Sequence, residues 1–343
     1  MLKIYKPVES DAWANLDSFK LKLDWNESDY FLNKISDEIL SFLNSSNISY
    51  YPNLDNSLLI EKVANYTNVT PDCIELTSGS DYAHEIILKY LGFLNRDSKV
   101  LIFYPTYDNF RSTAETIVSN IGIVNLELSK FSSLYDFDFS SSSLVYLSNP
   151  NNPTGDFLDI EKLNIVLDNN KDVLFVIDEA YIDFNISKSV VSLIEHQKNI
   201  IITRTFSKAF GLAGFRIGYI LSSPILISSL SRFNNVKHLS SIAKIAASVT
   251  MDNISFFSEA IKRINFNKDI LIKELKERDY VKNVFNGGGN FVLVELFDCS
   301  ENFYLKLKSN NVYIRRLNHL VSLENFVRIT VPSNNIDKLI SCL

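Results

Sequence analysis

The stretch VLFVIDEAYIDF, residues 173–184, runs the apolar residues Val173 to Ile177 straight into Asp178, Glu179 and Tyr181. A short continuous apolar run rich in β-branched and aromatic side chains predicts a strand buried on both faces. Three other runs share this character, VLIF (100–103), LVYL (144–147) and NIIIT (199–203), and helical patterns separate them from about residue 57 to 221. Strands alternating with helices predict an α/β domain on a mostly parallel sheet. Among the helices, SDYAHEIILKYLGFL (80–94) places Ala83, Ile86, Ile87, Tyr90, Leu91 and Leu94 at helical spacing. Ser80 and Asp81 stand at its start as capping residues, and its N-terminus could hold an anion.

Beyond residue 250 the pattern changes. A long amphipathic segment (254–279) is followed by NGGGN and by strand patterns near 290–296, 312–316 and 326–331, which predicts a second, smaller α+β domain. The expected division is a large domain over 48–253, with 1–47 and 254–343 forming an N-terminal arm plus the small domain. Gly287 to Gly289 read as a flexible turn or hinge.

Composition narrows the function. The 40 acidic and 34 basic residues give a net charge of -6 without strong blocks, so no footprint for nucleic acid or an anionic membrane is expected. Cys73, Cys299 and Cys342 are far apart and lack any CxxC spacing, which argues against disulfides and zinc and fits a reducing cytoplasm. The opening MLKIYKPVESDAWANL has no apolar core long enough for a signal peptide, and no later run reaches membrane-spanning length. His84, His196, His238 and His319 are scattered and read as ordinary surface or satisfied core residues, so no metal is expected.

Three strand ends carry the chemistry. SNPNNPTG (148–155) follows one strand, at the carboxyl end where ligands bind in open α/β sheets. Asp178 ends the next, and a buried carboxylate needs a partner. After the third comes TRTFSKAFGLAGFRIGY (203–219), in which Lys208 sits among hydroxyls and small residues, eight positions before Arg216. The ordered set NPNNPTG, DEAY, SKAFGLAGFR resembles the fold-type I pyridoxal 5′-phosphate enzymes, specifically the class I/II aminotransferases of the histidinol-phosphate aminotransferase-like group. The likeness runs from YPN at 51 to VRIT at 327.

That resemblance implies an aspartate aminotransferase-like fold, with a seven-stranded-type sheet in the large domain. It also assigns roles. Lys208 condenses with the cofactor aldehyde and shuttles protons, Asp178 pairs with the pyridinium nitrogen, and Tyr181 and Asn152 hydrogen-bond the phenolic oxygen. Backbone amides of Ser80 and Asp81, with Thr205, Ser207 and Arg216, hold the phosphate. Tyr107 stacks on the ring. Tyr51 reaches the cofactor of a neighbouring subunit, which makes the protein a homodimer. Arg328 in FVRIT binds the acid group of the substrate, and an arginine of VYIRRL helps with a substrate phosphate. Period-2 alternation puts Arg315 and Arg316 on opposite faces, so only one of them enters the site.

Two places depart from the family pattern. Where the family has a substrate-pocket segment like LNENPYG, this chain reads LDWNESDYFL (23–32); Asn26 and Glu27 survive, the proline and glycine do not, and Trp25 precedes them. After FVRIT stand Val331 and Pro332 instead of a glycine. The expected reaction is transamination between glutamate and a small phosphorylated compound, histidinol phosphate or a keto phosphate of similar size. A decarboxylase resembling the threonine-phosphate decarboxylases keeps the same lysine, aspartate and phosphate-binding arginine and is the rival. A non-catalytic cofactor-binding protein is a third reading, which the presence of Lys208, Asp178 and Tyr181 opposes.

Overall fold

A strand buried on both sides must send alternate side chains into two different cores, and the central strands do so. The computed structural model describes residues 10–12, 21–45, 48–320 and 323–343, the Ser129 side chain apart. Most of the opening segment read for a signal peptide therefore lies outside the described residues. In chain order the strands are β1 (Leu21–Leu23), β2 (Ile74–Thr77), β3 (Lys99–Tyr104), β4 (Asn120–Asn125), β5 (Leu144–Ser148), β6 (Leu174–Asp178), β7 (Ile200–Thr205), β8 (Gly218–Ser222), β9 (Val281–Phe285), β10 (Phe291–Leu296), β11 (Val312–Arg316) and β12 (Phe326–Thr330). The helices are α1 (Asn33–Ser45), α2 (Ser57–Thr67), α3 (Ser80–Leu94), α4 (Asp108–Ile117), α5 (Ile160–Asn169), α6 (Pro224–Ser231), α7 (Ser241–Met251), α8 (Ile254–Lys276), α9 (Ser300–Ser309) and α10 (Ile336–Ile340).

Seven strands form one sheet in the order β2-β8-β7-β6-β5-β3-β4, with β8 antiparallel to both its neighbours and the remaining pairings parallel. Val100, Ile102, Leu144, Tyr146, Val176 and Ile201 face a core with residues of α3, α4 and α6, while Leu101, Phe103, Val145, Leu147, Phe175 and Ile202 join the other core. Because β2 and β7 both pair antiparallel with β8, the ends of β2, β3, β5, β6 and β7 all reach one edge of the sheet, where β8 begins. The site lies there.

The second sheet has five strands in the order β1-β11-β12-β10-β9. β1 pairs parallel with β11, Leu23 against Ile314, so the chain leaving β1 and the chain leaving β11 emerge at the same end. The antiparallel neighbour β12 pairs Arg328 with Arg315. The two sheets meet where glycines touch: a Cβ on Gly287 would lie 2.3 Å from the Cα of Gly155, whose own φ is +82°. The amide of Gly288 donates to the Gly155 carbonyl at 2.7 Å, and the Lys268 ammonium donates to the carbonyls of Gly287 and Gly289. The triple glycine expected as a flexible hinge is therefore a clamped docking point, and glycine is required because two backbones approach where no side chain fits.

Candidate active site

At the shared sheet edge the strand ends enclose an inner cavity lined by Ser80, Asp81, Tyr107, Asn152, Asp178, Tyr181, Thr205, Ser207, Lys208 and Arg216 together with Ser148 and Ala180. It opens into an outer cleft of about 640 Å³ whose further lining includes Trp25, Glu27, Asn109, Arg315, His319 and Arg328.

One end of the inner cavity is built to take an anion. α3 begins at Ser80 with Gly79 as its N-cap and no side chain capping it, contrary to the expected capping by Ser80 and Asp81. Uncapped amides at a helix start carry partial positive charge and seek an acceptor. Gly79, at φ +82°, lies so close to Arg216 that a Cβ would stand 2.8 Å from the guanidinium, and a Cβ on Gly218 would meet the amide of Ser80 at 3.1 Å. Thr205 donates to Ser207 at 2.9 Å, and Arg216 reaches Ser207 at 3.4 Å. The Asp81 side chain points to other partners, accepting from Tyr107 at 2.9 Å, from Asn109 at 3.0 Å and from Arg216 at 3.4 Å. Burial, then Asp81, pushes the Tyr107 phenol well above its ordinary pKa and keeps it a donor.

At the opposite end Asp178 is buried, accepting from Tyr146 at 2.7 Å and from the amide of Ala180 at 3.1 Å. His84 stands behind it, 3.7 Å from the carboxylate and 3.2 Å from Thr203. Between the two ends Tyr181 accepts from Asn26 at 3.1 Å and Asn152 at 3.4 Å. The half-buried Lys208 donates to the Trp25 carbonyl at 2.7 Å, with its ammonium 5.6 Å from the centre of the Tyr181 ring.

Arg328 links the inner cavity to the outer cleft. Its guanidinium donates to the Asn152 side chain and to the Asp24 carbonyl, each at 2.7 Å, while its Nε is buried without a partner. Burial foremost, and the charge of Arg315 in addition, push its pKa down to about 10, a cost that an incoming carboxylate would relieve. Arg315 faces the cleft beside it. Arg316 turns away, paired with Glu301 and lying 4.6 Å over the Tyr304 ring, so of the two arginines Arg315 is the one that lines the cleft. His319, in the turn that follows β11, also lines the cleft. Desolvation, then Arg315, holds its imidazole below the ordinary value.

Two expected site residues stand elsewhere. Asn26, expected to bind substrate, is fully buried beneath the cavity with every polar group engaged: its amide and side-chain oxygen contact Thr330, its side-chain nitrogen donates to Tyr181, and its carbonyl accepts from Asn290. It therefore positions Tyr181. Tyr51 is 77% exposed, outside the cavity of its own chain, with the Lys237 ammonium 3.8 Å above its ring. Sequence reasoning missed Tyr146, His84, Asn109 and His319, which no pattern singled out.

The family model for aminotransferase class I and II matches residues 18–343. The chain belongs to this family. Aminotransferases similar to it include the dihydroxyacetone phosphate transaminase Cj1437c of Campylobacter jejuni, 36% identical over 96% of this chain and 91% of that protein. The histidinol-phosphate aminotransferase of Buchnera aphidicola is 32% identical over 96% of this chain and 92% of its own. Among solved structures, the histidinol-phosphate aminotransferase of Sinorhizobium meliloti in complex with pyridoxal 5′-phosphate superimposes with a TM-score of 0.85 over 98% of this chain and 93% of that one, at 21% identity, a likeness of fold. The protein is thus a pyridoxal-phosphate-dependent aminotransferase with the fold-type I architecture. The cavity suits that cofactor: an anion cradle too tight for a Cβ at one end, a buried carboxylate at the other, and an amine between them. Among the described residues no helix is long and apolar enough to cross a membrane.

Proposed function

We propose that this aminotransferase moves an amino group between glutamate and a small phosphorylated carbonyl compound. The observation that carries the reading is the cross-strand pair of Arg315 and Arg328, which brings two guanidinium groups together at the cleft. The carboxylates of the same cleft already have partners: Asp81 holds Tyr107, Asn109 and Arg216, Asp108 lies 3.2 Å from Arg111, and Glu27 pairs with Lys22. Two guanidinium groups side by side suit a substrate bearing a phosphate, since paired forks recognise such planar or tetrahedral oxyanions well. Relatives named for dihydroxyacetone phosphate and for histidinol phosphate point to the same class.

Bound pyridoxal phosphate supplies an aldehyde for amine exchange and a ring that draws electrons from the substrate carbon. Within this reading Lys208 would be the residue that holds the aldehyde, and its amine would move the proton at the substrate carbon. Asp178, held by Tyr146 and Ala180, would face the ring nitrogen and favour its protonated form. Tyr181 and Asn152 hold the phenolic oxygen, and Tyr107 forms the platform for the ring. The amides of Ser80 and Asp81, with Thr205, Ser207 and Arg216, hold the phosphate. Arg328 takes the carboxylate of glutamate, and Arg315 takes the phosphate of the other substrate. We further propose the two-domain division at residues 48–253, and a homodimer in which Tyr51 serves the cofactor of the second copy. Exposed Ile48, Tyr51, Leu54, Leu58 and Val236 support such an interface.

The test is absorbance spectroscopy of the purified holoenzyme. Glutamate should convert the cofactor band to that of its amine form, and a phosphorylated ketone should restore it. Restoration by unphosphorylated oxo acids but by no phosphorylated one would overturn the substrate class.

A further inference from the structure

Resting on the substrate class proposed above, the outer cleft also shows what sets the size of the substrate. The amine forms of the two phosphorylated candidates share one arm: an amine-bearing carbon, a methylene, an oxygen and a phosphate. They differ only in the second arm, a hydroxymethyl group in one and an imidazolylmethyl group in the other. Arg315 and Lys208 engage the shared part, so they cannot tell the two compounds apart. An uncharged wall must do so.

Leu317 and Leu320 contribute to that wall, but each is 3% exposed and packed into a small core with Leu293 and Phe326. His319 and Tyr107 are also open to the cleft, and Trp25, at 38% exposure, is the largest of its uncharged lining side chains. Its position is fixed on both sides. The Lys22 ammonium lies 4.5 Å from the centre of its indole and is itself held by Asp24 at 2.9 Å and by Glu27. A cation so anchored favours one placement of the ring. The following residue, Asn26, has a left-handed backbone at φ +56° and engages every polar group with buried partners, so the wall cannot retreat by a change of backbone. The Trp25 carbonyl meanwhile accepts from Lys208 at 2.7 Å, which ties the backbone of the wall to the reacting amine.

We infer that Trp25 is the specificity-determining residue for the second arm of the substrate: it admits a short hydroxymethyl-type arm and refuses one ending in a ring. Lys22 is its positioning residue.

Steady-state kcat/KM would be measured with two amine donors, serinol phosphate and histidinol phosphate, and 2-oxoglutarate as acceptor, for the wild-type holoenzyme, Trp25→Ala and Lys22→Met. Cofactor absorbance per chain checks that each variant folds. Wild type should prefer serinol phosphate by at least about tenfold, and Trp25→Ala should move the ratio toward histidinol phosphate by at least about tenfold, the scale set by filling or emptying a pocket of this kind. Lys22→Met, which keeps the indole but frees it, should move the ratio the same way by less. Should Trp25→Ala fail to hold cofactor, Lys22→Met carries the test alone. A ratio that moves less than about twofold in the folded variants, or a wild type that favours histidinol phosphate, overturns the inference. A wild type that reacts with glutamate but with neither phosphorylated amine overturns the substrate class beneath it instead.

Discussion

Around the inner cavity the polar side chains come from the ends of strands in one sheet, or from the connections that join those strands to the next element. The outer cleft is assembled otherwise. There the Asp24 carbonyl meets Arg328 across 304 positions of sequence, and β1 must first join a sheet made of C-terminal strands to bring them together. A sheet edge fixes all its groups at once, because moving one strand end disturbs its neighbours' ladders. A wall carried on a separate arm can change its side chains with little effect on that edge. The inner half is therefore where this enzyme is constrained, and the outer half is where it can differ from its relatives. Arg328, bonded to Asn152 and through it to Tyr181, is a tie between them.

The largest effect should come from the inner half. Lys208→Ala removes both the point of covalent attachment and the proton carrier, and kcat/KM for every substrate should fall by at least about 10⁴-fold. The phosphate cradle is untouched, so cofactor should still bind, but gel filtration in denaturant after borohydride reduction should strip it from the variant and leave it on the wild type. Retention of more than about a hundredth of the activity would place the chemistry elsewhere and end the distinction drawn above.

Cutting the tie tests whether the two halves are separable. Arg328→Ala should cost about 3 kcal/mol of transition-state stabilisation, roughly a hundredfold in kcat/KM for glutamate. Cofactor content per chain should stay at the wild-type level. An unchanged KM for glutamate would remove Arg328 from substrate binding. A shift in the cofactor band on the same substitution would instead show that the Asn152 and Tyr181 contacts carry the coupling, and would sharpen the comparison into one of linked halves.

The same division explains what could be read from the sequence. VLIF, LVYL, VLFVI and NIIIT were legible as strands because burial on both faces leaves a continuous apolar run, and the residues placed at their ends, Asn152, Asp178 and Lys208, fall together in the cavity. β9, whose side chains are half-buried or exposed, and β1, of three residues, carry too little pattern to be found. Asn26 was legible as a conspicuous residue but not as a buried one, since its partners Thr330 and Asn290 lie more than 260 positions away and only the pairing of β1 with β11 brings them near. The role of Gly287 was hidden for the same reason: its glycine requirement comes from Gly155, on a different sheet's loop.

The finest test lies within the outer half, between adjacent residues. Arg315 and Arg316 have the same chemistry and neighbouring positions, and alternation along β11 sends them to opposite faces. Arg315→Ala should lower kcat/KM for the phosphorylated substrate roughly tenfold to a hundredfold, the range for losing one charge-assisted hydrogen bond, with a smaller effect on glutamate. Arg316 is partly exposed and paired with Glu301 at the surface, where screening by solvent leaves little net gain, so Arg316→Ala should change kcat/KM by less than about twofold. Equal losses in the two variants would mean that the face of β11, and not the identity of one side chain, holds the phosphate. A loss confined to Arg316→Ala would mean that the strand presents its opposite face to substrate, which would require β1 and β12 to pair with it in a register shifted by one residue.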